Sequence, residues 1–244
     1  MSDPVLAHAK LTASLRITGV RPDGYHLIDA EMVSLDLADD LVFAEGDGLD
    51  VVGATGLAVP ADDDNLVRRA LRLVGRTAHV TLTKRIPAGA GLGGGSADAA
   101  AVLRWAGFDD AEQAATLGAD VPFCIRGGRA RVTGIGEVLE PLPHVDRTFT
   151  LVTPPFGCST PAVYRAWDDL GGPTADGPND LEAAALVVAP ELAVWRDRLG
   201  DATGATPVLA GSGSTWFVEG AFPDAGLVVR TVPEAGLSAP GTSL

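Results

Sequence analysis

The chain has 244 residues and 46% hydrophobic residues, which is enough for one large domain or two modest ones and argues against disorder. Its formal net charge of −14 disfavours nucleic acid and anionic membranes as partners. The two cysteines, Cys124 and Cys158, fit a reducing compartment, and the N-terminus lacks a secretory signal, so we expect a cytoplasmic protein. The most apolar helix candidate, residues 183–194, is too short to cross a bilayer.

The first predicted element is a strand over residues 7–17, in which apolar and polar side chains alternate and Lys10 lies near the start. Pro22-Asp-Gly24 then predicts a turn, since each residue type favours one position of it. The turn presents Tyr25 and His26. They are either an ordinary exposed pair or a ring that stacks on a base beside a hydrogen-bonding imidazole.

Two further strands are predicted over residues 32–43 and 50–59. A helix over residues 66–74 follows, with apolar residues at helical spacing. The polar cluster before it favours an N-cap at Asp63, Asp64 or Asn65.

A glycine-rich segment, residues 87–95, lies between a predicted strand, residues 79–84, and a predicted helix, residues 96–105. Such a loop directs free N–H groups and the positive end of the helix dipole toward a phosphate. The segment lacks the lysine of the P-loop pattern, and its match to the dinucleotide fingerprint G-x-G-x-x-G is weak. A flexible glycine turn is the alternative interpretation.

The rest of the chain alternates helices and strands. A short helix is predicted over residues 111–117, then the segment Leu117-Gly-Ala-Asp-Val-Pro-Phe123, in which Asp120 is either a turn residue or a functional carboxylate. A strand pair is predicted over residues 130–136 and an irregular connection over residues 168–178. The second half, with a further glycine loop at Gly211-Ser-Gly-Ser-Thr215, indicates a small α+β sandwich.

Rare residue types add an independent hint. The chain has only two lysines, Lys10 and Lys84, and only two tyrosines, Tyr25 and Tyr164. A composition that uses arginine elsewhere leaves lysine where a compact ammonium is needed.

These motifs, in this order, resemble those of the GHMP small-molecule kinases. The loop Gly91-Leu-Gly-Gly-Gly-Ser-Ala-Asp-Ala-Ala100 is similar to that of the branch that phosphorylates 4-diphosphocytidyl-2-C-methyl-D-erythritol. The resemblance implies an α+β, two-domain GHMP kinase fold. Residues 1–148 would form an ATP-binding domain like domain 2 of ribosomal protein S5, and residues 149–244 a ferredoxin-like domain.

The resemblance also implies roles for individual residues. Lys10 and Asp120 would be catalytic, and Thr12, Tyr25, His26 and Tyr164 would bind the acceptor. Thr12 stands where the family carries asparagine, so it lacks the second arm of an amide. The implied ATP-binding residues are Asn65, Lys84, Pro87, Gly89, Gly91, Leu92, Gly93, Gly94, Gly95, Ser96, Gly211, Ser212 and Gly213.

The implied cofactors are ATP and Mg²⁺, with Ser96 a candidate metal ligand, although the sequence shows no acidic metal partner in the loop. The implied partner is a small molecule, a cytidine diphosphate-linked polyol phosphorylated on its 2-hydroxyl. Two alternatives stay open: another GHMP kinase acting on homoserine, mevalonate or a sugar, and a catalytically silent nucleotide-binding module.

Overall fold

The computed structural model of the chain describes residues 3–53 and 59–234. It consists of two β-sheets with helices packed against them. The strands within these residues are β1 (Val5–Val20), β2 (His26–Ala44), β3 (Gly48–Val52), β4 (His79–Thr83), β5 (Arg129–Gly134), β6 (Val138–Leu142), β7 (Thr148–Val152), β8 (Val208–Leu209), β9 (Trp216–Glu219) and β10 (Leu227–Arg230). The helices are α1 (Leu66–Leu73), α2 (Gly94–Ala106), α3 (Ala111–Ala115), α4 (Val121–Arg126), α5 (Thr160–Asp169), α6 (Glu182–Val188) and α7 (Leu192–Thr203).

The first sheet is built on the long hairpin of β1 and β2, whose turn is the predicted Pro22-Asp-Gly24 segment. One edge of β2 pairs with β1 along its length, while the other edge pairs with β5 near its start and β4 near its end. Only the β3–β4 pairing in this described sheet is parallel. Among the described strands β1 pairs only with β2, and Lys10 lies opposite Ser34 within this hairpin.

Helix α2 packs against β1 and against α1 and α4. Its inner face is mostly alanine, and Ala99, Ala100 and Ala101 are fully buried. Small side chains allow the helix to lie close to the sheet, so its first turn reaches the residues of β1. Helix packing thus places the glycine-rich segment beside Lys10.

The second sheet has the order β10-β7-β9-β8 and is antiparallel throughout its described strands. A backbone connection joins the segment before α6 to the first sheet, since the N–H of Leu15 donates to the carbonyl of Pro178 and the N–H of Asp180 donates to the carbonyl of Leu15. The buried carboxylate of Asp180 also accepts hydrogen bonds from Arg16 and from the N–H of Ile17. These contacts connect β1 of the first sheet to residues 178–180 of the second half.

Several predicted elements differ from the structure. The strand expected over residues 50–59 ends at Val52, and residues 54–58 lie outside the described residues. Helices α4 and α5 are not among the predicted elements, although each carries a proline in its first turn, where proline favours the start of a helix. The predicted domain boundary at residue 148 coincides with the first residue of β7 and stays a prediction. In the part of the chain that the structure describes, every helix is too short or too polar to traverse a membrane.

Candidate active site

A cavity of about 560 Å³ lies between the two halves of the molecule. Its walls include residues of the β1–β2 hairpin, the glycine-rich segment, the residues before α4, the β5–β6 turn, helix α5 and the glycine loop after β8. Because segments distant in the chain meet there, we expect the predicted site residues to lie in this cavity.

Lys10 and Asp120 meet in this cavity. The ammonium Nζ of Lys10 lies 3.2 Å from Oδ2 of Asp120 and donates a hydrogen bond of 3.0 Å to the hydroxyl of Thr12. The side chain of Lys10 is 7% exposed and that of Asp120 is 30% exposed. The backbone of Lys10 is held as well, since its N–H donates to the carbonyl of Leu92 in the glycine-rich segment.

Asp120 immediately precedes α4, yet it does not cap that helix. Among the described residues its carboxylate accepts no capping hydrogen bond from the helix N-terminus. The carboxylate is therefore not used for capping, and its catalytic role stays a prediction. Its side chain instead faces the cavity and the ammonium of Lys10.

The glycine-rich segment passes so close to its neighbours that side chains have no room at two positions. A Cβ added at Gly93 would lie 2.7 Å from the side chain of Lys10, and one added at Gly91 would lie 2.6 Å from the carbonyl oxygen of Gly213. Both residues also have a positive φ, 77° at Gly91 and 68° at Gly93. Glycine here allows the segment to touch β1 on one side and the second half on the other.

The helix that follows, α2, begins at Gly94, and within the described residues its N-terminus has no side-chain cap. Its first N–H groups and the positive end of its dipole are therefore available to an anion. Ser96 lies in this first turn and lines the cavity. This arrangement fits a phosphate group.

The second glycine loop lies next to the glycine-rich segment, since the N–H of Thr215 donates to the carbonyl of Ala90. Gly211 and Ser212 line the cavity, and the hydroxyls of Ser212 and Thr160 are 2.8 Å apart. Asn179 supports the loop from behind, because its amide nitrogen donates to the carbonyls of Leu209 and Gly211 at 2.8 and 2.7 Å. The loop is therefore held in place by a buried amide.

Aromatic side chains form the far end of the cavity. Tyr25, which is 59% exposed, and Tyr164, which is half-buried, both line it. The ring of His26 lies 4.7 Å from the ring of Tyr164. Burial, reinforced by the charge of Asp120, raises the pKa of Tyr164 to about 12, so its hydroxyl stays protonated near neutral pH.

Asp168 is a cavity residue that sequence reasoning missed. Its Oδ1 lies 2.8 Å from Nε2 of His26, so it fixes the orientation of that ring across the two halves. The irregular connection predicted from residue 168 onward is wrong at its first residue, because Asp168 belongs to α5. The spacing of Tyr164 and Asp168, four residues apart after a Ser-Thr-Pro helix start, was the available signal.

The predicted ATP-binding residues divide into two groups. Those on the cavity surface are Gly91, Gly93, Ser96, Gly211 and Ser212. Those that do not line the described cavity are Asn65, Lys84, Pro87, Gly89, Leu92, Gly94, Gly95 and Gly213.

Two residues of the second group have other partners. Asn65 is the N-cap of α1, and its side chain accepts from the N–H of Val67. The ammonium of Lys84 bonds to Asp39 and Asp98. Direct contact of either residue with a nucleotide stays a prediction.

Comparison with known proteins identifies the family. A model of the GHMP kinases N terminal domain matches residues 65–128, which include the glycine-rich segment and Asp120. The 4-diphosphocytidyl-2-C-methyl-D-erythritol kinase of Ruegeria pomeroyi is 40% identical, over 97% of this chain and 95% of its own length. The chain belongs to the 4-diphosphocytidyl-2-C-methyl-D-erythritol kinase family.

Two further similarities agree with this membership. The kinase of that name from Paracoccus denitrificans is 41% identical, over 86% of this chain and 84% of its own length. A crystal structure of 4-(cytidine 5'-diphospho)-2C-methyl-D-erythritol kinase superposes with a TM-score of 0.74 at 33% identity, covering 93% of this chain and 97% of that one. The predicted GHMP kinase family and its α+β fold are therefore confirmed. A specificity for homoserine, mevalonate or a sugar is not favoured.

Proposed function

We propose that the protein transfers the γ-phosphoryl group of ATP to the 2-hydroxyl of 4-diphosphocytidyl-2-C-methyl-D-erythritol, a step of the non-mevalonate route to isoprenoid precursors. The observation that carries the proposal is the 3.2 Å contact of Lys10 with Asp120 beside an uncapped helix N-terminus, in a cavity that also holds two tyrosines. The names of the relatives point to the same reaction. The free cysteines Cys124 and Cys158 support a reducing compartment, and we place the reaction in the cytoplasm.

Phosphoryl transfer depends on positioning and on stabilising charge more than on covalent chemistry. In this protein the N–H groups of the first turn of α2 would hold phosphate oxygens, aided by the helix dipole. The loop at Gly211 and Ser212 also lines the cavity, next to the glycine-rich segment, and would close over the phosphates from the other half. Because Gly91 and Gly93 carry no side chains, neither residue narrows the part of the cavity where the phosphates would lie.

Asp120 would take the proton from the attacking hydroxyl, since it is a carboxylate that the structure leaves partly exposed to the cavity. The ammonium of Lys10 would stabilise the negative charge that develops on the attacking oxygen. Lys10 is held in place for this by Thr12 and Asp120 together. The two residues thus divide proton transfer and charge stabilisation between them.

The residues present fit a magnesium ion bound mainly through the nucleotide. Among the described residues no group of three His, Cys, Asp or Glu side chains forms a metal site. Mg²⁺ that accompanies ATP needs only one or two protein oxygens, because phosphates and water supply the others. The hydroxyl of Ser96, on the cavity wall, would be such a ligand, and the ion would neutralise phosphate charge.

Acceptor recognition would use the aromatic end of the cavity. Tyr25 and Tyr164 offer ring faces for stacking on cytosine, and His26 offers hydrogen bonds at the edge of the base. Thr12 would contact the polyol, although its oxygen already accepts a hydrogen bond from Lys10. Its hydroxyl hydrogen remains for one donation to the substrate.

An acceptor panel tests this proposal. Purified protein with Mg²⁺ and ATP is offered the cytidylyl polyol, homoserine, mevalonate and a hexose, and phosphorus NMR locates the new phosphate ester. We expect phosphorylation of the polyol 2-hydroxyl alone. Phosphorylation of homoserine, mevalonate or the hexose without preference for a cytidylyl group would refute the acceptor assignment, and binding of ATP without any turnover would favour a silent module.

A further inference from the structure

A buried charge cluster lies beneath the glycine-rich segment, outside the cavity. The ammonium of Lys84 bonds to Oδ2 of Asp98 at 2.8 Å and also to Oδ2 of Asp39. The three side chains are 3%, 4% and 0% exposed. We call Asp39, Lys84 and Asp98 the loop clasp. None of these three side chains lines the described cavity.

The loop clasp joins the two ends of the glycine-rich segment. Lys84 follows β4 directly and precedes the segment, whereas Asp98 lies in the second turn of α2, just after it. Asp39, on β2, accepts hydrogen bonds from the N–H groups of Arg85 and Ile86, so it also fixes the entry to the segment. Tying both ends to one point of the sheet removes conformational freedom that phosphate binding would otherwise have to remove.

The contact between clasp and segment is close. A Cβ added at Gly94 would lie 3.2 Å from Nζ of Lys84 and 3.1 Å from Ile86. Since Gly94 is the first residue of α2, the ammonium lies beside the first turn of that helix, which also carries Ser96 on the cavity wall. A shift of Lys84 would therefore move that turn.

The charges of the clasp are unequal, with one ammonium between two carboxylates. Within the described residues, Oδ1 of Asp98 is buried and accepts no hydrogen bond. Burial raises the pKa of Asp98 to about 7, although Lys84 acts against this shift. Burial alone would lower the pKa of Lys84, but the two carboxylates together raise it, so the ammonium stays charged and committed to them.

From this geometry we infer that Asp39, Lys84 and Asp98 are positioning residues, which set the shape of the phosphate-binding segment from beneath, and that Lys84 does not itself contact the nucleotide. The inference deepens the proposed function and rests on it for the identity of the anion. An ammonium that bonds two buried carboxylates is not available to a phosphate on the other side of the backbone. Its effect on the nucleotide passes through Gly94 and the first turn of α2.

The test compares Lys84→Met, Asp98→Asn and the double variant with Arg85→Gln. Arg85 is the matched control, because its half-exposed side chain forms a surface ion pair with Asp40 next to the clasp. Three quantities are measured well below each unfolding temperature: the KM for ATP, the KM for the acceptor, and the affinity for a non-hydrolysable ATP analogue by calorimetry. Hydrogen exchange of the amides of residues 91–97 reports the order of the segment directly.

We expect each single variant to raise the KM for ATP by about 10-fold or more. The double variant should be no worse than the poorer single variant, since either change opens the same clasp. The KM for the acceptor should stay within about twofold of wild type in the clasp variants. All values of Arg85→Gln should do so as well, because this change keeps the N–H that donates to Asp39 and removes only a side chain bonded to Asp40 and to the carbonyl of Ala38. Exchange at residues 91–97 should accelerate in the clasp variants alone.

Two outcomes would overturn the inference. If Lys84→Met loses ATP affinity while Asp98→Asn keeps it, Lys84 contacts the nucleotide directly. If neither variant changes the KM for ATP or the exchange of the segment, the clasp does not position it. Asp98→Asn keeps the shape of the side chain, so it serves if Lys84→Met fails to fold. Failure of the proposed function would be seen separately, because wild-type protein would then not phosphorylate the acceptor. Hydrogen exchange of residues 91–97 would still show whether the clasp orders the segment.

Discussion

Replacement of Lys10 by methionine removes the ammonium from the cavity and keeps most of the side-chain volume. At the observed 3.2 Å, two unit charges attract by about 5 kcal/mol if the effective dielectric constant is about 20. The carboxylate of Asp120 is 30% exposed, so screening by solvent reduces the figure. We take about 3 kcal/mol as the charge stabilisation that an attacking oxygen in the same position would lose, which corresponds to about 100-fold in kcat.

Steady-state kinetics with varied ATP and varied acceptor measure this effect. The KM for ATP should change little, because the ammonium of Lys10 bonds Asp120 and Thr12, and methionine keeps the aliphatic stem that packs beside Gly93. Arg131→Met is the control, since it removes a half-exposed cation that pairs with a surface carboxylate on the first sheet. A kcat of Lys10→Met within about twofold of wild type would refute the reasoning, because charge stabilisation of that size should not be replaceable.

Two further predictions concern stability. Asp180→Ala should lower the free energy of unfolding by about 3 kcal/mol, because it leaves the guanidinium of Arg16 and the N–H groups of Ile17 and Ala175 without their buried acceptor. Urea denaturation measures the change, and a loss below about 1 kcal/mol would contradict this stabilising role of Asp180. The pKa of Asp98 is about 7 in the folded protein against 3.8 as its ordinary value, so the folded form binds an extra proton between these pH values. The stability that this proton provides is present at low pH and is lost as pH rises from about 4 to 7, by at most about 1.4 kcal/mol per pH unit. The difference in unfolding free energy between wild type and Asp98→Asn should fall over that range, and a difference that stays constant contradicts the assignment.

The parts of the site that can be predicted from the sequence are those marked by a short run of neighbouring residues or by a rare residue type. The glycine-rich segment is visible in the sequence as a run of glycines. The structure gives the reason, because a Cβ at Gly91 or Gly93 would lie too close to its neighbours. Lys10 is conspicuous in the sequence because the chain has only two lysines. The alternation of apolar and polar residues around it predicts a strand, which is β1. The Pro22-Asp-Gly24 turn likewise follows from the conformational preference of each residue.

The parts that were not predicted depend on contacts between residues far apart in the chain. Asp39 lies 45 residues before its partner Lys84, and no local pattern marks it among neighbouring aspartates. The bond of His26 to Asp168 spans 142 residues and forms only when the two halves meet. Such pairs become visible once the packing of helix on sheet is known, because burial then shows which charges must find partners.

The central claim is that Asp120, held beside Lys10, accepts the proton of the acceptor hydroxyl while the glycine-rich segment holds ATP independently. The most direct test measures kcat and the affinity for a non-hydrolysable ATP analogue in the same preparation of Asp120→Asn. We expect kcat to fall by about 1,000-fold or more, whereas the dissociation constant of the analogue should stay within about twofold of wild type. Turnover near the wild-type rate would contradict it, since an amide cannot take the proton that the mechanism assigns to this carboxylate.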